Sequence, residues 1–203
     1  MDIDEIKEKI QEAAKEERDA ERSERKGIAI YISVLAALLA ITSVGGSNAA
    51  KQMVNANIEA SDVFSFYQGK VLRQTQYQQA ARALELSVLS RTDLTPDQRA
   101  DVEREVASYR QTVARYESDP QSGEGKKELL AKAKAKEAER DYAARQDPYF
   151  DAAEALLQLA IVLASVSTVI GVSGLLWLSG ACAVTGFLAM VNGFTLIVSL
   201  PFL

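Results

Sequence analysis

Asp147, Asp151 and Glu154 stand four and three residues apart, which puts three carboxylates on one helical face, oxygen ligands of the kind that suit Ca²⁺ or Mg²⁺. Acidic side chains in a first helical turn also complement the helix dipole, and that reading explains the same residues without a metal. A second candidate is the lysine series Lys126, Lys127, Lys132, Lys134 and Lys136, which would bind phosphate. Glu128, Glu137, Glu139 and Asp141 are interleaved with it and make a solvated face instead. The aromatic cluster Phe64, Phe66 and Tyr67 offers a surface for stacking a ligand, but aromatics at helical spacing ordinarily serve packing.

The chain has no histidine, so it lacks the commonest general base, the commonest transition-metal ligand and the usual switch near neutral pH. Its one cysteine, Cys182, lies inside an apolar run, closes no disulfide within the chain and reads as a small apolar filler. With no glycine-rich phosphate loop and no catalytic triad, the expectation is a protein that is not an enzyme and takes no cofactor or metal. The net charge is −5, with ten acids and seven bases in residues 1–26 and 17 acids and 16 bases in residues 46–151. Neither part is a basic surface, and no nucleic-acid partner is expected.

The elements that would position these residues are helices, because Ala, Glu, Lys, Arg, Gln and Leu dominate the polar part while prolines number four and glycines 11. Residues 155–203 hold not one charged side chain, and a bilayer-spanning helix needs about 20 apolar residues, so this run is long enough to cross twice. It predicts a transmembrane hairpin of residues 155–178 and 181–200, with Trp177 near the turn as an interfacial ring. Residues 27–44 predict an earlier span, an uncleaved signal-anchor, after which Gly45-Gly46 lets the helix kink or continue. Gly171, Gly174 and Gly186, with Asn192, are the candidate interaction residues of the spans, since small residues let helices approach closely.

Between the spans, residues 49–90 show helical periodicity that includes Phe64, Tyr67 and Val71. Thr95-Pro96-Asp97-Gln98 is a capping box with proline in the first turn, so a second helix starts there and carries a narrow heptad-like stripe, Val102, Val106, Tyr109 and Val113, that needs a partner helix. These seven residues are the candidate interaction residues of the insertion. Residues 118–125 predict a loop, residues 126–145 an alanine-rich helix, Asp147-Pro148 a further cap, and Tyr149-Phe150 a pair of interfacial aromatics. Residues 1–26 predict a solvated helix whose apolar stripe is only Ile3, Ile6 and Ile10.

The expected fold is therefore all-α: a charged segment 1–26, a transmembrane helix 27–45, a long coiled-coil-like stalk 46–151 and a transmembrane hairpin 152–203. The segments 57–74 and 150–167, with the pattern Ala60, Ser61, Asp62, Phe64, Phe66, Tyr67, Gln68 and Lys70, resemble a family of bacterial membrane proteins catalogued as domain of unknown function 4337. The resemblance implies an integral membrane protein and supplies no catalytic residues. Residues 176–181, around the predicted turn of the hairpin, carry none of the basic residues the resemblance implies. The Arg22, Arg25, Lys26 cluster places the N-terminus in the cytoplasm of a bacterial inner membrane and the stalk in the periplasm. A stalk this thin buries little by itself, so the lipid bilayer and either further copies of the chain or a larger membrane complex are the expected partners. The leading function is a structural or interaction protein, self-assembling through its stalk or serving as an accessory subunit; the alternative is a small homo-oligomeric channel or transporter subunit lined by polar residues of the last two spans.

Overall fold

The computed structural model describes residues 3–198, with four helices: α1 (Ile3–Ser90), α2 (Pro96–Glu117), α3 (Lys126–Ile170) and α4 (Ser173–Thr195). They divide into two units, one of Met1–Lys51 with Ala143–Leu203 and one of Gln52–Tyr142, so α1 and α3 each contribute to both. α1, α3 and α4 are long and apolar enough to cross a membrane. The side chains of the Ile3, Ile6, Ile10 stripe lie outside the described residues.

In the first unit, α1, α3 and α4 meet along lines of small residues. Ala153, Leu157, Ala160 and Ala164 of α3 are buried at steps of four, three and four. α4 answers with Ser179, Ala183, Gly186, Met190 and Gly193, and α1 contributes Leu35, Thr42 and Ala49 at steps of seven. Leu35, Leu157, Ala160 and Ala183 form the centre of this packing, with Tyr31, Leu38 and Cys182 against it. Side chains this short bring backbones close, and contact area between the helices then replaces the bulk that larger side chains would supply. The polar groups among them are satisfied. Thr42 donates to the Leu38 carbonyl at 2.9 Å, and fully buried Ser179 donates to the Ala160 carbonyl at 2.6 Å while sharing a 3.1 Å hydrogen bond with the Tyr31 hydroxyl, tying all three helices together.

Three local expectations give way here. The hairpin turns at Gly171-Val172, not near residue 179: Gly171 adopts φ +74°, where glycine pays no Cβ penalty, and its N–H closes on the Ser167 carbonyl at 2.8 Å. Trp177 accordingly lies within α4 and is exposed. Asp147-Pro148 caps nothing, because α3 runs straight through Pro148. A proline inside a helix removes one N–H and crowds the carbonyl four residues back, a cost of about 3 kcal/mol, so neighbouring contacts must outweigh it. They are supplied by Gln146, which donates to the Gly193 carbonyl at 2.9 Å, by Tyr149, which donates to the Val198 carbonyl at 3.0 Å, and by Phe150.

Phe150 is the third correction. It is 2% exposed rather than interfacial, and it is seated among glycines. A Cβ on Gly45 would come within 2.6 Å of the Phe150 ring, one on Gly193 within 3.0 Å and one on Gly46 within 3.2 Å of the Phe150 Cβ. Phe194 closes the seat with its ring edge-on, 4.8 Å between centroids. α1 thus continues through Gly45-Gly46, and the pair makes room for an aromatic ring from α3.

In the second unit the helix α1 is the common support. α2 runs antiparallel to residues 74–89 of α1, pairing Tyr77 with Tyr109 (ring centroids 5.4 Å) and Tyr116 (5.9 Å), and Glu85 with Arg110 (2.6 Å). The first part of α3 lies along an earlier stretch, where Lys136 bonds Glu59 at 2.9 Å and Arg140 reaches Asn57 at 3.5 Å. α2 starts as its sequence predicts. Thr95 Oγ1 accepts from the Gln98 N–H at 3.3 Å and Gln98 Oε1 from the Thr95 N–H at 3.1 Å, the reciprocal capping box.

Candidate functional site

The insertion's candidate residues are placed within this second unit as follows. Val106 is buried, and Val102, Tyr109 and Val113 are half-buried on the side of α2 that meets α1. Val102 and Val106 share with Val88 and Leu89 of α1 a cavity of about 590 Å³, rimmed by Glu85, Glu103 and Arg110. The partner helix that this stripe requires is α1 of the same chain. Phe64, Tyr67 and Val71 are half-buried on the face of α1 that carries buried Ala60 and Gln74, since positions 60, 64, 67, 71 and 74 follow steps of four and three. Phe66 does not join Phe64 and Tyr67; it is partly exposed beneath the Lys70 ammonium, 5.1 Å from its ring centroid.

A polar junction joins the three helices where α2 hands over to α3, and no spacing rule pointed to it. Gln74 of α1, 7% exposed, donates to the Val113 carbonyl at 3.1 Å and to Glu117 at 3.0 Å, while its own carbonyl accepts from Lys126 at 2.8 Å. Lys126 also bonds Glu117 at 2.9 Å, and Lys70 bonds Glu124 at 3.2 Å with its ammonium 5.2 Å from the Tyr116 ring. Lys126 and Gln74 together hold the Glu117 carboxyl below its ordinary pKa, and Ser122 does the same for Asp119. Glu128 reaches back to Ser118 at 2.6 Å and to the Asp119 N–H at 3.1 Å, so residues 118–125 are anchored at both ends instead of forming a free tip. The signal available in sequence was only a glutamine at a position where the pattern wanted an apolar residue.

The candidates of the predicted spans separate into different roles. Gly186 is buried and a Cβ there would meet Leu156 and Leu157 at 3.1 and 3.2 Å, so it seats α3 on α4. Gly171 makes the turn, and Gly174 is exposed with nothing within 4 Å of its Cβ position. Asn192 clasps the end of α4: its amide donates to the Val198 carbonyl at 2.7 Å and its oxygen accepts the Val198 N–H at 2.9 Å. Among the described residues no three acidic, cysteine or histidine side chains come together as a metal site, and Glu154 accepts from Gln158 at 3.2 Å.

A family model described as Domain of unknown function (DUF4337) matches residues 24–196. The chain belongs to that family. No curated protein and no solved structure matches the chain. The DUF4337 match begins three residues before the first apolar stretch of α1 and ends one residue past α4, so the junction at Gln74, the Phe150 seat and the Gly171 turn all lie inside it.

Proposed function

We propose that this DUF4337 chain is a non-enzymatic, membrane-anchored structural or interaction protein that assembles through its helical insertion. The observation that carries the reading is the surface of the first unit. Its three helices pack on one another through alanine, glycine and serine, while Ile30, Val34, Ile41, Val162, Val169, Trp177, Val184 and Leu188 remain exposed outside, and no charged residue occurs from 155 to 195. Water tolerates no apolar surface of that extent on a monomer, whereas lipid does. Dimensions agree. Residues 27–46, 150–170 and 173–193 each rise about 30 Å at 1.5 Å per residue, the thickness of the hydrocarbon core.

The reading extends to a bacterial inner membrane with residues 1–26 on the cytoplasmic side and the insertion on the periplasmic side, on the strength of Arg22, Arg25 and Lys26 beside the first span. The channel alternative gains nothing comparable: Asn192 is engaged with Val198, and the Ser165, Thr168 and Thr185 hydroxyls each donate to a carbonyl four residues back in their own helix. The decisive experiment is the composition of a natively expressed sample released in mild detergent. Particles made of two or more copies of the 22.1 kDa chain support self-assembly. A stoichiometric set of other subunits would assign it an accessory role instead, and a solitary 22.1 kDa chain would remove the assembly reading.

A further inference from the structure

The face of α1 turned away from α2 and α3 has an order of its own. Ala60, Tyr67, Gln74, Ala81 and Val88 form a line at steps of seven on the side packed within the chain. Two positions before each of them stand Ile58, Ser65, Leu72, Gln79 and Leu86, also at steps of seven, and all five are exposed. Two residues along a helix turn the side chain by about 200°, so the second line lies nearly opposite the first. Ile58, Leu72 and Leu86 are 53, 61 and 55% exposed, and the five residues include no charge.

This outer face is also depleted of charge relative to its neighbours. Of the 23 exposed positions between residues 52 and 90 only Glu59, Asp62, Arg73 and Arg82 are charged, against eight of 15 in α2 and five of nine in residues 126–142 of α3. A helix face that water solvates permanently has no reason to differ so much from two helices of the same unit. A strict seven-residue repeat of uncharged side chains is what a helix needs to pack lengthwise against another helix.

We infer that this line, Ile58, Ser65, Leu72, Gln79 and Leu86, is the seam of a parallel, in-register pair formed with a second copy of this chain. The inference rests on the membrane-anchored reading for its direction: copies inserted in one membrane share an orientation, so each residue of the line meets its own equivalent. The line tolerates that meeting. Apolar residues pair with themselves, Ser65 already donates to the Ser61 carbonyl at 2.9 Å, and the Gln79 amide both donates and accepts, so two of them complete one another. A charged partner line would repel its own copy, and a charged foreign partner finds no matching charges here. Gln79 between Leu72 and Leu86 sets the register, since a slip of one heptad leaves its amide against a leucine.

The test places one cysteine at a time in the full-length chain by Ile58→Cys, Leu72→Cys, Leu86→Cys, Arg73→Cys and Gln78→Cys, and oxidises intact membranes with copper phenanthroline. The wild-type chain, with only Cys182, is the blank. Disulfides need Cβ atoms about 3.5–4.5 Å apart. The inference expects covalent dimers at 58, 72 and 86 and none at 73 or 78. Equal cross-linking at all five positions, a link only between 58 and 86 in mixed samples, or an adduct with another polypeptide would overturn it. Resistance of the same samples to carbonate extraction reports on membrane anchoring separately, so a membrane-bound chain that fails to cross-link defeats the seam alone, and an extractable chain defeats the anchoring alone.

Discussion

Phe150 and the glycines around it carry the clearest residue-level statement. Adding one methyl group at Gly45 places a carbon 2.6 Å from the Phe150 ring and 2.9 Å from the Phe194 ring, well inside contact distance, and the Phe150 ring is buried with Gly193 also against it. Alanine in a helix interior is favoured over glycine by about 1 kcal/mol, and overpacking costs about 1–3 kcal/mol, so the clash dominates. Gly45→Ala is expected to lower stability by about 1–2 kcal/mol in detergent unfolding, whereas Gly180→Ala, with nothing within 4 Å of its Cβ position, is expected to be neutral or stabilising. Phe150→Ala empties the seat and is expected to cost about 3–5 kcal/mol, and combined with Gly45→Ala the two losses fall short of their sum because the clash partner is gone. Additive losses would show that the ring and the glycines act separately.

Among the elements, the junction of α1, α2 and α3 has a pH dependence whose sign follows from its partners. The Glu117 carboxyl is held low by Lys126 and then Gln74, and that of Asp119 by Ser122, so both bind protons less readily folded than unfolded. Their stabilising contribution is complete above the ordinary carboxylate range and is lost as the pH falls through their depressed folded values. Amide protection around residues 113–126, taken relative to the intrinsic exchange rate at each pH, is expected to be high near neutrality and to fall below about pH 4, and Glu117→Gln is expected to flatten that transition. A transition of unchanged size in the variant would detach the junction from Glu117. Element boundaries with a chemical signature were legible: the Thr95 capping box and the loop at 118–125 stand where the sequence puts them. Pro148 misled, and Gly45-Gly46, through which α1 continues as one of the two expected outcomes, did not disclose its purpose, because the meaning of both depends on what packs against them. The same local signals mark a helix end in water and a ring seat between packed helices, and only the distant partners, Phe150 and Gly193, decide which. Gln74 was hidden for the same reason: one amide on an otherwise apolar line has partners 39, 43 and 52 residues away.

For the whole molecule, sequence patterning separated apolar from charged segments, but the helices do not break where that division falls: α1 runs through a charged, an apolar and a polar segment, and α3 from a charged segment into an apolar one. What patterning left open was which apolar line faces which partner. The stripe Val102, Val106, Tyr109 and Val113 meets α1 of its own chain, which leaves the opposite, uncharged line of α1 free for the proposed pairing with a second copy. The membrane-anchored function depends on the three apolar helices lying in lipid, and alkaline carbonate extraction of membranes from cells expressing the full-length chain puts that to the test. The protein is expected to stay wholly in the membrane pellet and to enter solution only with detergent; recovery in the carbonate supernatant would rule out the membrane anchoring.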